Sequence, residues 1–200
     1  MRRILLLLPL ITALCLPLMV MDGHARARPM NAKDFTDLCT QGTPSEVKAA
    51  IAGGADVNAY AKKEVENREV TSTALMAASA WSNLDVINIL IKAGAKVNAR
   101  DNEDKTALFM AAGNTDNPEV INTLIKAGAE VNARDQFGWT ALIEAAARVN
   151  NTNPEVINAL IKAGADVNAR DNNGETVLMY AMRSNNTVAK DALVRAGARK

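Results

Sequence analysis

The phrase VINxLIKAGAxVNARD occurs three times in this chain, from Val86 to Asp101, Val120 to Asp135 and Val156 to Asp171. Its glycine, read as buried, recurs at Gly94, Gly128 and Gly164, in steps of 34 and 36 residues. Diverged copies end at Gly54 and Gly197. A period in the thirties marks a solenoid: each unit is too small to bury its own apolar face, so the core exists only where neighbours stack.

One unit can be built from its residues. Thr140 precedes Ala141-Leu142-Ile143, and Ala145-Ala146-Ala147 follow. A threonine cap and a run of good helix formers predict a short helix over about 141–148. The asparagines at 150–153 break it. Pro154 and Glu155 open a second helix, since proline suits the first helical position and an acid suits the positive end of the dipole. Val156 with Leu160 and Ile157 with Ile161 share one apolar face, while Asn158 and Lys162 fall toward solvent. Gly164 stops the helix in the left-handed conformation that glycine adopts most cheaply. A turn through Asn172-Asn173-Gly174 leads to Thr176 and the next unit. The unit is therefore two antiparallel helices and a projecting turn.

These residues resemble the ankyrin repeat family. The matching pieces are Thr73-Ala74-Leu75 with Ala77-Ala78, Thr106-Ala107-Leu108 with Ala111-Ala112, Thr140-Ala141-Leu142 with Ala145-Ala146, and Thr176-Val177-Leu178, each followed by a second helix, a glycine turn and a Val-Asn pair. The resemblance runs from about 33 to 200. It implies an all-α ankyrin-repeat solenoid of stacked antiparallel helix pairs with projecting β-turn or hairpin loops. Five units are expected, at about 33–58, 59–99, 100–133, 134–169 and 170–200. The first and last act as caps, with helix pairs near 34–40 and 44–52 and near 178–182 and 188–194. The chain departs from the family where alanine or valine follows the threonine in place of proline. The usual histidine slot holds Met76, Phe109, Ile143 and Met179, and Asp104 replaces a turn glycine. The asparagine-rich loops look like those of bacterial members.

Residues 1–27 read as a secretory signal, with a basic start at Arg2 and Arg3, an apolar run from Ile4 to Met21, and Ala25-Arg26-Ala27 as a cleavage site. Residues 28–32 form a short linker. The alternative is an uncleaved anchor, which would make the protein an envelope-tethered scaffold. A lipoprotein would use Cys15, but Leu14 is too large for the place before a lipidated cysteine. Cleavage after Ala27 leaves 20 basic and 21 acidic residues, from 23 and 22 in the whole chain, since Arg2, Arg3, Arg26 and Asp22 depart. A net charge near −1 offers nothing to hold nucleic acid or an anionic membrane.

Cys39 would then be the only cysteine, read as a small buried residue, and the sole histidine, His24, would leave with the signal. Without histidine no Ser-His or Cys-His pair forms, and the usual zinc ligand set is missing. The carboxylates sit at repeated positions, Asp101, Asp135 and Asp171, which suits a scaffold better than a catalyst. The expectation is a monomeric, non-catalytic protein that needs no cofactor or metal.

Family resemblance implies that a protein partner, of unidentified kind, binds the concave face formed by the turn tips and first helices. The variable slots there are the candidate contacts. The tips offer Glu103, Lys105, Phe137 and Trp139. The inner-helix slot runs Ala77, Met110, Glu144, Tyr180, and the slots beyond it include Trp81, Arg148 and Arg183. Phe137, Trp139 and Tyr180 are the leading anchors, since aromatics and arginine dominate binding hot spots. The opposing reading is that Trp139 covers the neighbouring turn and Tyr180 packs on the cap. Met110 and Met182 also read as core fillers. Finally, Asn58 to Thr73 is seven residues longer than the equivalent stretches, within Lys62 to Val70. That insertion is either a finger toward a partner or a solvated charged loop.

Overall fold

A computed structural model of the chain describes residues 30–65, 68–148 and 154–199. The signal segment and the asparagine loop at 149–153 lie outside the described residues. Five helix pairs follow one another: α1 (Ala32–Gln41) with α2 (Pro44–Ala52), α3 (Ala74–Ala80) with α4 (Leu84–Lys92), α5 (Ala107–Asn114) with α6 (Pro118–Lys126), α7 (Ala141–Ala147) with α8 (Glu155–Lys162), and α9 (Val177–Arg183) with α10 (Thr187–Arg195). The first helices stack in the order α1, α3, α5, α7, α9, and the second helices stack behind them from α2 to α10.

Local chemistry sets both ends of each pair. The side chains of Thr73, Thr106, Thr140 and Thr176 accept the backbone N–H of Met76, Phe109, Ile143 and Met179. Each such cap is worth about 1 kcal/mol. At the histidine slot of the second unit, Met76 offers its sulfur to the Thr73 N–H at 3.4 Å. Gly94, Gly128 and Gly164 end the second helices at φ near 90° (87°, 93° and 89°). The next residue closes each turn, with Ala95, Ala129 and Ala165 donating to Leu90, Leu124 and Leu160 at 2.9–3.0 Å. These glycines are exposed, contrary to the reading of them as buried. They are needed for their backbone conformation, and a side chain there would meet open space.

The core is one continuous seam. Leu75, Leu108 and Leu142 from the inner helices and Leu90, Leu124 and Leu160 from the outer ones are almost wholly buried. Cys39 lies in this seam at 0% exposure, and burial pushes its thiol up to about 12. Met182, read as a core filler, is instead 44% exposed, because Val177, Leu178, Tyr180 and Ala181 take the buried positions of α9.

Polar stitches join unit to unit. Asn58, Asn98 and Asn132 each reach one unit forward. Their side-chain N–H groups donate to Gly94 O, Gly128 O and Gly164 O at 2.9–3.1 Å. Their side-chain oxygens accept the N–H of Lys96, Glu130 and Asp166 at 2.8–2.9 Å. Asn168 does the same for Arg199. Arg100 and Arg134 add donations to Arg134 O and Arg170 O at 2.8 and 2.7 Å.

The seven extra residues fold as an antiparallel hairpin, β1 (Tyr60–Val65) with β2 (Arg68–Thr73), in register from Tyr60 opposite Thr73 to Val65 opposite Arg68. Asn102 of the next turn locks the β2 edge. It accepts the Thr71 N–H at 2.9 Å, donates to Glu69 O at 2.6 Å, and its own N–H donates to Thr71 Oγ1. The insertion thus continues the row of turn tips.

Candidate partner-binding face

The turn aspartates display the variable residues. Asp101 Oδ1 accepts the N–H of Glu103 and of Lys105, both at 2.8 Å. Asp135 Oδ1 holds Phe137 and Trp139 at 2.9 and 2.8 Å. Asp171 Oδ1 holds Asn173 and Glu175 at 3.0 and 2.8 Å. The repeated acid makes the turn; the residues at the second and fourth places after it are free to vary. Gly138 and Gly174 take positive φ inside these turns, and Asp104 does so at φ 62° in the glycine place of the first. At Gly138 a side chain would also collide with Asn172 and Arg134. Neighbouring tips are bonded too: Gln136 N–H to Glu103 O and Asn172 N–H to Phe137 O, each at 3.0 Å.

On this ribbon Phe137 is 54% exposed. Trp139 is half-buried and meets Tyr180 edge to face at 4.5 Å between ring centroids. Tyr180, one of the three leading anchors, is 8% exposed. Its ring lies between Trp139 and the Arg183 guanidinium, 5.2 Å from its centroid, and its hydroxyl donates to Asp171 Oδ2 at 2.9 Å. The aromatic trio therefore divides into one presented ring, Phe137, and two that brace the turn behind it. Trp81 is 70% exposed at the far end of α3, away from the tips.

The cations of this face are tied within the protein. Lys105 Nζ is 2.7 Å from Glu103 and sits over the Phe109 ring at 5.6 Å. Burial alone would lower its pKa, but the bond and charge of Glu103 outweigh that and raise it. Arg148 donates to Thr115 O at 2.6 Å and pairs with Asp116 at 3.0 Å, pinning the loop of the preceding unit. Arg183 pairs with Glu175.

The inner-helix slot nine residues after each turn aspartate decides what the second carboxylate oxygen meets. Tyr180 fills it for Asp171. Burial works against the Asp171 charge, but the Glu175 N–H and the Tyr180 hydroxyl overcome it and hold the carboxyl below the usual range. For Asp101 the slot holds Met110, which has no donor. Asp101 is 6% exposed and its Oδ2 is buried with no hydrogen-bond partner. There, burial prevails over the N–H bonds of Lys105 and Glu103, and the carboxyl is raised. For Asp135 the slot holds Glu144, a half-buried carboxylate lying against Gly113 of α5. Burial raises it, Lys105 opposes that, and the Asp135 charge adds to it. Arg148 joins Lys105 in opposing the rise, and among the described residues no hydrogen bond reaches the carboxylate.

The sequence reading missed two features here. The Val-Asn asparagine is the inter-unit staple, a role signalled in the sequence only by its recurrence once per unit. The orphaned Asp101 oxygen was legible only by comparing what stands nine residues on in each copy. Among the described residues no group of three or more His, Cys, Asp or Glu side chains could hold a metal ion. No described helix is long and apolar enough to cross a membrane.

Stacked helix pairs, threonine caps and tips strung along one edge define a repeat solenoid with a built face. Its sequence matches the family model for ankyrin repeats (3 copies) over residues 38–135 and again over residues 108–200. The chain belongs to the ankyrin repeat family, which is typically non-catalytic and suggests a protein–protein interaction module. No curated protein matches the chain.

Proposed function

We propose that this protein holds or blocks another protein through its concave face, acting in the periplasm or outside the cell. The observation that carries the reading is Phe137. A large apolar ring stands 54% exposed on a turn locked by Asp135 and by hydrogen bonds to the tips on either side. Rigid presentation of an aromatic side chain reduces the entropy lost on binding, and such residues are frequent hot spots. Lys105, Glu103, Met110 and Glu144 lie along the same side as neighbours of that anchor.

The test is capture of partners by the wild type and by a Phe137→Ala variant, then by a Phe137→Ala/Trp139→Ala pair. Loss of a partner in the single variant supports the face, since Phe137 has little structural duty. Retention of every partner at equal strength in both variants sinks it. Amino-terminal sequencing tests the location: a start at Arg28 is expected, and an intact Met1 would give the anchored form.

A further inference from the structure

Three carboxylates, those of Asp101, Glu103 and Glu144, act on Lys105 in the middle of the concave face, and Asp135 acts on Glu144 beside them. Lys105 is bonded to Glu103. Arg148, the next cation, also acts on Glu144 by its charge, but it pairs with Asp116 and donates its hydrogen bond to Thr115 O. Two acceptors are thus left short of donors. Asp101 Oδ2 is buried without a partner, and Glu144 is half-buried without a hydrogen bond. In the last unit the equivalent of that Asp101 oxygen points at the inner-helix residue nine places on, where Tyr180 satisfies it. Here that residue is Met110, an unbranched side chain that can swing aside.

Burying an acceptor with no donor is unfavourable, and carboxylates are the worst case. Folding alone gives no reason for the arrangement, since glutamine at 144 would relieve it. A binder that brings its own positive donors does give one. We propose that the concave face between Met110 and Glu144 is a subsite for a cationic side chain, lysine or arginine, of the protein partner. This rests on the concave-face reading above and adds the partner's chemistry: a basic residue beside an apolar one that meets Phe137.

The probe is a blocked heptapeptide, acetyl-GLGRGLG-amide, with twins carrying lysine or the neutral isostere citrulline in the centre. Binding to the ¹⁵N-labelled chain is followed by amide shifts. The arginine and lysine peptides are expected to shift the amides of Lys105, Met110 and Glu144 and to bind at least about fivefold tighter than the citrulline peptide. Glu144→Gln should abolish most of that preference and raise the melting temperature of the free protein by about 1–3 °C. Equal binding of the charged and neutral peptides overturns the subsite, as does a preference that survives Glu144→Gln. A lower melting temperature in that variant also overturns it, because Glu144 would then be structural. Shifts at Phe137 and Trp139 without charge preference leave the concave-face reading standing and remove only the subsite. Absence of concave-face shifts with all three peptides removes both.

Discussion

The turn at Asp171 and the turn at Asp101 follow the same repeated phrase and differ in what meets one oxygen. At Asp171, Oδ1 takes two backbone N–H groups and Oδ2 takes the Tyr180 hydroxyl. At Asp101, Oδ1 is satisfied in the same way, but Met110 stands where Tyr180 would and Oδ2 is orphaned. The two carboxyls move in opposite directions accordingly, Asp171 down and Asp101 up. The repeat supplies the aspartate and its turn; the variable inner-helix residue decides whether the charge is settled inside the protein or left for something outside. The last unit has settled it. The Asp101 unit, in the middle of the stack, has not, and the middle is where a partner has most surface to touch.

The comparison breaks most sharply at Tyr180. Tyr180→Phe keeps the ring against Trp139 but orphans Asp171 Oδ2, and loss of a hydrogen bond to a buried charge costs about 1.5–3 kcal/mol. Urea unfolding at neutral pH should show that loss, and the Asp171 carboxyl should rise. The sign follows from linkage: a carboxyl held below its unfolded value contributes stability at neutral pH that is lost as pH falls through the folded value. The variant should therefore be less stable than the wild type at neutral pH and approach it in acid. An unchanged midpoint at neutral pH would show that the hydroxyl bond carries nothing.

The converse transplant is Met110→Tyr, which would give Asp101 the donor it lacks. A net gain of about 1 kcal/mol is expected for a satisfied bond in place of an orphaned acceptor. Calorimetry or urea unfolding reads it. A loss would mean that the tyrosine ring cannot be seated beside Lys105 and that the two turns are less alike than their backbones.

How far this contrast could be read from the sequence is itself informative. The helix pairs and the glycine stops followed from the 3.6-residue period, the threonine caps and the turn residues, all of which act over a few neighbours, and the left-handed Asp104 from the family resemblance, which puts a glycine in its place. The hairpin at Tyr60–Thr73 did not, because Lys62-Lys63-Glu64 has weak strand character and its register depends on Asn102 of the next unit. Phe137 is legible in the sequence as a turn residue, and its exposure came only with the structure. Tyr180 and Trp139 look alike to a composition argument; the edge-to-face contact that turns them inward is between units. The charged series has the same limit. Lys105 and Arg148 stand among the candidate contacts, and each is also bound within the protein, Lys105 to Glu103 on its own turn and Arg148 to a carbonyl 33 residues away that sequence distance hides.

A smaller effect sharpens the middle of the face. Glu144→Gln removes a half-buried charge that Asp135 repels, and a gain of about 0.5–1 kcal/mol at neutral pH is expected for such partly exposed electrostatics. Because the folded Glu144 carboxyl is raised above its unfolded value, its penalty is full at neutral pH and fades as pH falls through the folded value toward the ordinary glutamate range. Thermal melts of both proteins across that window should converge in acid. A constant difference at all pH values would locate the gain in packing and not in charge.

The smallest expected effect, and the most discriminating, is at Gly113. A methyl group there would sit 2.6 Å from Glu144 Oε1 and 3.0 Å from its Cγ. Alanine is better than glycine inside a helix by about 0.8–1 kcal/mol, so Gly113→Ala should stabilise α5 if nothing else changed. In the wild type the contact offsets that gain, since the Glu144 side chain must shift to make room, and the net change should be within about 0.5 kcal/mol. In a Glu144→Ala background the obstacle is gone and the helix gain should appear in full. The coupling in this double-mutant cycle measures how firmly α5 holds the Glu144 side chain. Zero coupling would mean that Glu144 already moves freely over Gly113. The glycine would then be an accident of the helix, and the half-buried position of the acid would be owed to α7 alone.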